Sequence, residues 1–377
     1  MNHKMLRLFL AALLPSAGIC AGQTTFTAGK PVVVMTPDEI TKMGFHYPDM
    51  QLCPIPGKGN PPLKVRWMHG IGSANAGFPA QVFEGALDRP GQTRIFVKKQ
   101  SGYFSDPNRA GGNKWLMSIY QHSRDLLIGV CHVENAGSGG NLFRIGIAFS
   151  TNGGDSWTYL GHSLVSAVDD EKANIAGGAW AIKDEFFHVF FIQNGGAAGA
   201  VARASMKDLL EAVRDKRPVP FHKFANGEWA MPGLSTGDAT TLNVPQIGNH
   251  NNVRRCRRDD RFYQVVYSVG KDGNALHLCQ SSDLIHWTDL GPIGSGTSRL
   301  FYLTMLDVSG EAGDGTIGEA FYVYYADEVP NARPSPPSPG NWDKGNSHGY
   351  YRLRVDLKTE VPSENSREHP QTRPSLP

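Results

Sequence analysis

Short runs of alternating apolar and polar residues occur along most of the chain, and clusters of turn-forming residues separate them. In residues 146–161 (GIAFSTNGGDSWTYLG), one such run ends in a Ser-, Asn- and Gly-rich segment, and an extended pattern resumes at Trp157. These turn residues hydrogen-bond their own backbone or tolerate positive φ angles, so the stretch predicts a β-hairpin with a tight turn. The same layout of strand, Ser-x-Asp turn and Trp recurs at 275–287.

A third, altered copy of this layout spans residues 200–229. Apolar residues recur at helical spacing over 205–214, in the place that the turn would occupy, and Ser205 is a suitable cap. The spacing predicts a helix of about three turns that decorates a sheet.

Repeats of tens of residues are typical of β-propellers and solenoids. Comparable second strands begin near Leu126, Phe186, Phe262 and Phe321, at separations of 60, 76 and 59 residues, which suit the blades of a propeller. We therefore predict an all-β protein with a five-bladed β-propeller over residues 63–357. The predicted strands are 65–68, 81–84 and 93–97; 115–120, 126–134 and the first hairpin; 177–182, 186–193 and 200–204; 253–256, 262–268 and 275–279; and 300–308, 320–325 and 350–355.

The two ends of the chain have other compositions. Residues 1–22 have basic residues, then the apolar run 8–14, then small residues, which is typical of a secretory signal peptide and predicts a secreted or periplasmic protein. The apolar run is too short to span a bilayer. The proline-rich residues 23–62 predict an irregular segment that wraps the propeller or closes its ring, and the polar residues 358–377 predict a disordered tail.

The charge balance indicates what kind of partner the protein has. Without the predicted signal peptide, Lys plus Arg falls from 37 to 35 and equals the 35 acidic residues. No net field then attracts nucleic acid or anionic lipid, so we expect a monomer with a neutral partner such as carbohydrate. Four cysteines remain, which allow three disulfide pairings or buried free thiols, and the sequence does not choose among them: Cys53, Cys131, Cys256 and Cys279.

The first hairpin resembles the Asp-box of sialidases and related propellers, S-x-D-x-G-x-[ST]-W. The matching residues are Ser150, Asn152, Gly154, Ser156 and Trp157. Asn152 replaces the usual Asp, which keeps the side-chain acceptor and removes its charge. The box joins the outer two strands of a blade in those folds, so the resemblance implies architecture, and an ordinary hairpin turn is the alternative.

A secreted five-bladed propeller with such hairpins resembles glycoside hydrolases of families 43, 32 and 68, and more loosely the sialidases. It is also similar to secreted glycosidase-like propellers with a His-x-Glu strand end, an Asn-x-x-Gly-Gly segment and a Lys-x-x-Asn-Gly-x-Trp-x-x-Pro-Gly segment. Here these are residues 132–134, 174–178 and 223–233, so the resemblance covers about 114–287. The resemblance implies a propeller fold, whereas a reaction must be argued from the site itself.

Hydrolysis of a glycosidic bond requires one carboxylic acid that protonates the leaving oxygen and one carboxylate that activates water or attacks the sugar. Glu134 ends an apolar strand beside His132, and it is the predicted general acid. Its alternative role is an edge-of-blade residue paired with Arg144.

The second carboxylate has less specific candidates. We predict Asp106 or Asp238, each of which precedes an inner strand, and Asp169 or Asp170 is a further option. Asp106 has the alternative of an ordinary loop residue. Residues 169–171 form an acidic run, which is usually solvated surface.

Sugar recognition combines stacking aromatic rings with hydrogen-bonding groups in a concave site. The predicted substrate-binding residues are His132, Trp180, Arg203, His250 and Asn251. Core packing is the favoured alternative for Trp180. The polar run 248–252 has little reason to pack, which favours a ligand contact at His250.

Other chemistries lack a motif in this sequence. We find no zinc-ligand spacing, no Gly-x-Ser-x-Gly elbow and no phosphate-binding loop, so no cofactor is predicted. A structural Ca²⁺ ion in the central channel, as in some propeller glycosidases, is left open without a ligand motif. The sequence favours a glycosidase that acts on a poly- or oligosaccharide, with a non-catalytic glycan- or protein-binding propeller as the alternative.

Overall fold

The computed structural model describes residues 24–42, 52–60, 64–70, 80–98, 100–136, 142–170, 173–194, 198–245, 251–270, 273–296, 300–311, 313–329 and 347–359. The predicted signal peptide, His250 and the tail beyond residue 359 lie outside them. Residues 26–357 belong to one compact unit. The other unit comprises 1–25 and 358–377, of which only residues 24, 25, 358 and 359 are described.

The described residues are mainly β-strands. These are β1 (Thr24–Ala28), β2 (Val32–Met35), β3 (Cys53–Asn60), β4 (Lys64–Gly70), β5 (Ala80–Ala86), β6 (Arg89–Lys98), β7 (Phe104–Ser105), β8 (Asn113–Ser123), β9 (Leu126–Glu134), β10 (Arg144–Ser150), β11 (Trp157–Leu164), β12 (Ala176–Lys183), β13 (Phe186–Gln193), β14 (Ala198–Ser205), β15 (His222–Ala225), β16 (Glu228–Pro232), β17 (Asn251–Cys256), β18 (Phe262–Gly270), β19 (Gly273–Ser281), β20 (Thr288–Gly296), β21 (Leu300–Asp307), β22 (Thr316–Ile317), β23 (Ala320–Val329) and β24 (Ser347–Thr359). The helices are α1 (Pro37–Lys42), α2 (Gln100–Tyr103) and α3 (Met206–Asp215).

The strands form five sheets, which are the blades of a propeller. From the inside outwards, blade one is β3-β4-β5-β6, blade two is β8-β9-β10-β11-β7, and blade three is β12-β13-β14-β15-β16. Blade four is β17-β18-β19-β20 with β22 inside β17, and blade five is β21-β23-β24 with β1 and β2 beyond β24. The predicted five-bladed β-propeller is confirmed, and each predicted strand lies within an observed strand except for one residue, Val308.

The inner strands β3, β8, β12, β17 and β21 contact one another in that order around the ring. Between blades five and one, the Thr304 hydroxyl donates to the Leu52 carbonyl at 2.8 Å. Because each blade packs on two neighbours, its middle strands are buried on both faces. In β13 every residue after the first is buried, which explains its nearly continuous apolar sequence.

The N-terminal segment differs from its prediction, because three of its stretches are strands. β3 is the inner strand of blade one although it contains Pro54 and Pro56. An edge strand forms ladder bonds on one side only, so prolines without an N–H group are tolerated there. β2 pairs with β24, and the N-terminal segment therefore completes the last blade, as the ring-closing alternative predicted.

The two Trp hairpins join the third and fourth strands of their blades, β10 to β11 and β19 to β20. In the first, Ser150 Oγ accepts from Gly154 N at 3.0 Å, and Asn152 Oδ1 accepts from Ser156 N at 3.0 Å. In the second, Asp283 Oδ1 accepts from the N–H groups of Ile285 and His286. The side-chain acceptors close the turns as local sequence predicts.

Helix α3 lies in the predicted place, between β14 and β15 of blade three. Ser205 Oγ accepts from Asp208 N and caps it, while Lys216 ends it in the left-handed conformation. All four cysteines of the propeller are buried free thiols, which settles the choice that the sequence left open. None of the helices in the described part of the chain has the length and hydropathy needed to span a bilayer.

Candidate functional site

We call the end of the ring where the inner strands begin the mouth, and the end where they finish the base. Asn113 begins β8 and pairs with Glu134, the last residue of β9, so Glu134 lies at the mouth. Arg144, the first residue of β10, pairs with Val133 and lies at the same end. The mouth is therefore lined by strand ends and by the loops that join one blade to the next.

Glu134 and His132 form the best-defined polar cluster of the mouth. The Glu134 carboxylate has 33% of its side-chain surface exposed, and its Oε1 lies 3.4 Å from His132 Nε2. The His132 ring is buried and stacks on Phe143, with ring centroids 5.9 Å apart. His132 Nδ1 has no hydrogen-bond partner in the described residues. A fixed imidazole thus contacts an acid that solvent can reach.

The alternative pairing of Glu134 with Arg144 is not present. Arg144 instead contacts Asp169, with 2.7 Å between Nη2 and Oδ1. Asp170 accepts from the backbone N–H of Ala173 at 2.9 Å. Asp169 and Asp170 were both candidates for the second carboxylate. Their contacts instead stabilise the loop in which they lie.

Asp106 closes its own loop. Its carboxylate accepts from the N–H groups of Ala110 and Gly111 and lies 3.1 Å from Lys114 Nζ. Burial alone raises the pKa of Asp106, but the Lys114 hydrogen bond and the two N–H groups outweigh it and bring the pKa below its usual range. These contacts favour the loop role over a catalytic one.

Asp238 is exposed, and its side chain forms few contacts with the described residues. In the part of the chain that the structure describes, its one hydrogen bond is from Asn194 Nδ2, at 3.4 Å. Asn194 lies at the mouth end of β13, where its backbone N–H donates to Ser166, and its φ of +59° is left-handed. Since Ala239 N donates to Gln193 Oε1, the chain around Asp238 is fixed to the same strand end. Among the candidates for the second carboxylate, Asp238 therefore has fewer hydrogen bonds in the described residues than Asp106.

The start of β17 carries two buried amides. Asn251, a predicted ligand residue, is buried at the first position of the strand. Asn252 Oδ1 accepts from Met305 N of blade five at 3.2 Å. This hydrogen bond joins two neighbouring blades, and no sequence pattern predicted it. His250 lies outside the described residues.

Two predicted substrate-binding residues lie away from the mouth. Trp180 is buried in the core, stacked on Phe187 at 5.7 Å, so its core-packing alternative is correct. Arg203 lies on β14, in the middle of blade three, with its guanidinium 3.9 Å from the Phe186 ring centroid and 4.3 Å from that of Trp229. The prediction of Arg203 at the mouth is wrong, because the third strand of a blade is too far from the axis.

One residue of an inner strand has a strained backbone. Tyr302 in β21 has a φ of +56°, and the pairing with β23 shifts between Phe301 and Thr304. A left-handed conformation is uncommon for a bulky residue and marks functional sites more often than ordinary strands. The local sequence around Tyr302 gives no signal of this conformation.

Metal-binding clusters are lacking in the described ranges: no three His, Cys, Asp or Glu side chains come together there. The inner strands provide few acids in the described residues. Asp307 is their single carboxylate, and at the base it accepts from Arg257 at 2.8 Å and from Ser309 N at 2.9 Å.

No family model and no curated protein matches the chain. Solved structures that resemble it include the catalytic domain of a Coprinopsis cinerea family 62 α-L-arabinofuranosidase, with TM-score 0.46, 11% identity, and coverage of 82% of this chain and 98% of that one. An endo-arabinase from Bacteroides thetaiotaomicron has TM-score 0.41, 13% identity and coverage of 80% and 96%. A family 117 glycoside hydrolase from Zobellia galactanivorans has TM-score 0.45, 11% identity and coverage of 89% and 91%. Similarity of this degree assigns neither an activity nor a substrate.

Proposed function

We propose that the mouth of the propeller binds a poly- or oligosaccharide and hydrolyses a glycosidic bond, with Glu134 as the general acid. The observation that carries this proposal is the contact of Glu134 with His132, in which a buried ring holds a carboxyl group that is 33% exposed. A proton donor must be fixed in direction and reachable by substrate, and this pair meets both requirements.

In the proposed reaction, Glu134 in its protonated form donates to the glycosidic oxygen as the bond breaks. His132 positions the carboxyl group, because its ring is buried and stacks on Phe143. Asp238 is the proposed second carboxylate, which takes a proton from the water molecule as the water oxygen bonds to the anomeric carbon. In the described residues its hydrogen bond to Asn194 is long, which leaves its oxygens available to that water. Export through residues 1–22 is part of the same proposal, because a polysaccharide substrate lies outside the cell.

The test is an assay of purified protein and of Glu134→Gln on aryl glycosides and polysaccharides. Gln keeps the shape of Glu but donates no acidic proton, so we expect kcat to fall by about 10²–10⁴-fold on substrates with poor leaving groups. The loss should be smaller for dinitrophenyl glycosides, because a good leaving group requires little protonation.

Glu228→Gln is the matched control, since Glu228 is exposed on outer strand β16 and should keep wild-type kcat. Equal activity of wild type and Glu134→Gln on poor leaving groups would contradict the role of Glu134.

A second candidate function is a non-catalytic carbohydrate-binding propeller. The observation that favours it is the single acid, Asp307, on the described inner strands, and this acid lies at the base. If this candidate is right, calorimetry detects glycan binding that mouth substitutions weaken, while no hydrolysis product forms over a long incubation.

A further inference from the structure

The sequence motif at residues 223–233 has no part in the proposed reaction, although it is one of the three segments that carry the resemblance. Its first residue, Lys223, lies on β15 and is completely buried. The Lys223 Nζ atom donates to the Ser235 carbonyl at 2.8 Å. Buried lysines are rare unless they are paired or hydrogen-bonded, because removing an ammonium ion from water is costly. The contact indicates that Lys223 holds the segment that contains Ser235.

The residues on either side of Asp238 are hydrogen-bonded to two different blades. Gly237 N donates to the carbonyl of Ala167, which follows β11 of blade two, at 2.7 Å. On the other side, the Gln193 side chain of blade three accepts from Ala239 N at 3.0 Å and donates to the Ala239 carbonyl at 2.9 Å. Gln193 itself is buried at the mouth end of β13. Both neighbours of Asp238 are therefore fixed, while Asp238 is exposed.

Lys223 stabilises the same segment in two ways. Its hydrogen bond fixes Ser235, which precedes Asp238 by three residues. Burial lowers the pKa of Lys223 to about 8, and the charge of the Asp238 carboxylate opposes this effect. The lysine therefore remains mainly protonated at pH 7, and its charge attracts the carboxylate. The hydrogen bond and the attraction both favour the observed position of the segment.

We propose that Lys223 and Gln193 are positioning residues for Asp238, which hold the backbone on both sides of it so that its carboxylate stays at the mouth. This inference rests on the proposed function, in which Asp238 takes a proton from the attacking water. A base is efficient only when its oxygen keeps its distance and direction to that water, and a displacement of about 1 Å costs up to about 10²-fold in rate. With the backbone fixed, only side-chain rotation remains, and the Asn194 amide contacts the carboxylate at 3.4 Å.

The first experiment measures kcat and KM of the full-length protein on an aryl glycoside that it hydrolyses. Lys223→Met and Gln193→Met keep a side chain of similar length but remove the hydrogen bonds to the segment. We expect each variant to lower kcat by about 10-fold or more and to change KM by less than about twofold. The reason is that the displaced carboxylate acts on the water molecule and not on the bound sugar.

Combination with Asp238→Asn tests whether the effect on kcat passes through Asp238. Asp238→Asn alone should lower kcat by about 10²–10⁴-fold. If Lys223 acts only by placing this carboxylate, Lys223→Met should lower kcat by less than about twofold further in the Asp238→Asn protein. Additive losses would contradict the proposal, because they would show that Lys223 affects kcat independently of Asp238. A general structural role would give such additive losses.

Lys114→Met is the matched control. Lys114 is also a buried lysine of the mouth, and its Nζ atom donates to the carbonyls of Gly111 and Gly112 in the loop that Asp106 closes. That loop has no part in the proposed reaction. Lys114→Met should therefore destabilise the protein but keep wild-type kcat.

Hydrogen exchange of the amides of residues 237–240 tests the same contacts without an assay of hydrolysis. Exchange there should be several-fold faster in Lys223→Met and in Gln193→Met than in the wild type, and unchanged in Lys114→Met. If the wild type hydrolyses no substrate, the proposed function fails, and exchange alone decides whether the two side chains hold the segment. If Lys223→Met does not fold, Gln193→Met decides. Unchanged exchange in the folded variants, or unchanged kcat in an active enzyme, would overturn the proposal.

Discussion

The mouth and the base of this propeller use polar groups in different ways. At the mouth, Glu134 and Asp238 each have one long contact, at 3.4 Å, and remain open to solvent. At the base, Asp307 accepts from several donors, and the loop that follows it is packed on Trp180. Hydrogen bonds and packing contacts stabilise the base, whereas a ligand site requires hydrogen-bonding groups that are not already occupied by the protein. The two ends of the same strands therefore differ in how many hydrogen-bond acceptor positions they leave open to solvent.

The largest effect on stability should come from the base. Trp180→Ala removes a fully buried indole and leaves a cavity among Tyr120, Phe187 and Arg254, so we expect a loss of about 3–5 kcal/mol in the free energy of unfolding. Glu134→Ala at the mouth should change the free energy of unfolding by less than about 0.5 kcal/mol. Urea unfolding measures both, and a mouth variant as costly as Trp180→Ala would remove the distinction between the two ends.

A smaller effect is expected at the loop that covers the base. Gly315 has a φ of +73° and a Cβ there would overlap the Trp180 ring, whereas Gly227 has a φ of +84° and open space around it. Gly315→Ala and Gly227→Ala share the cost of a left-handed residue, about 1 kcal/mol, but only the first adds a clash of about 1–3 kcal/mol. The difference between their urea midpoints isolates the packing contact. Equal midpoints would mean that the loop moves away at no cost.

The smallest effect concerns Asp106, the mouth acid that closes its own loop. Its pKa is lowered in the folded state, so its ionised form contributes stability above the unfolded pKa, and this contribution is lost as the pH falls through the folded pKa. Asp106→Asn should therefore cost about 1 kcal/mol at pH 7 and progressively less at an acidic pH where the carboxyl group is protonated in the folded state. Unfolding at the two pH values checks this, with Asp238→Asn as the control that should cost little at either pH.

Most of the architecture follows from short-range sequence patterns. Alternating residues mark the strands, Ser150 and Asp283 mark hairpin turns through bonds to nearby N–H groups, and Ser205 marks the start of α3. β3 was not predicted, because prolines are in general unfavourable in a strand. They are tolerated here because β3 lies at the edge of its sheet. The edge position depends on which strands pair, and local residues do not encode that.

The site depends on contacts between residues distant in sequence. The His-x-Glu spacing placed Glu134 beside His132, since neighbours two apart on a strand lie on the same face. The partner of Arg144 and the burial of Arg254 follow instead from how the blades and their connecting loops pack around the axis. The position of Arg203 follows from the pairing of strands within blade three, where its guanidinium lies over the Phe186 and Trp229 rings. By itself, the sequence determined the strands, the turns and the candidate acid, because these rest on local hydrogen bonds and periodicity. Only the tertiary structure decided which polar groups meet and which charge is buried, because ring closure brings together side chains from separate blades.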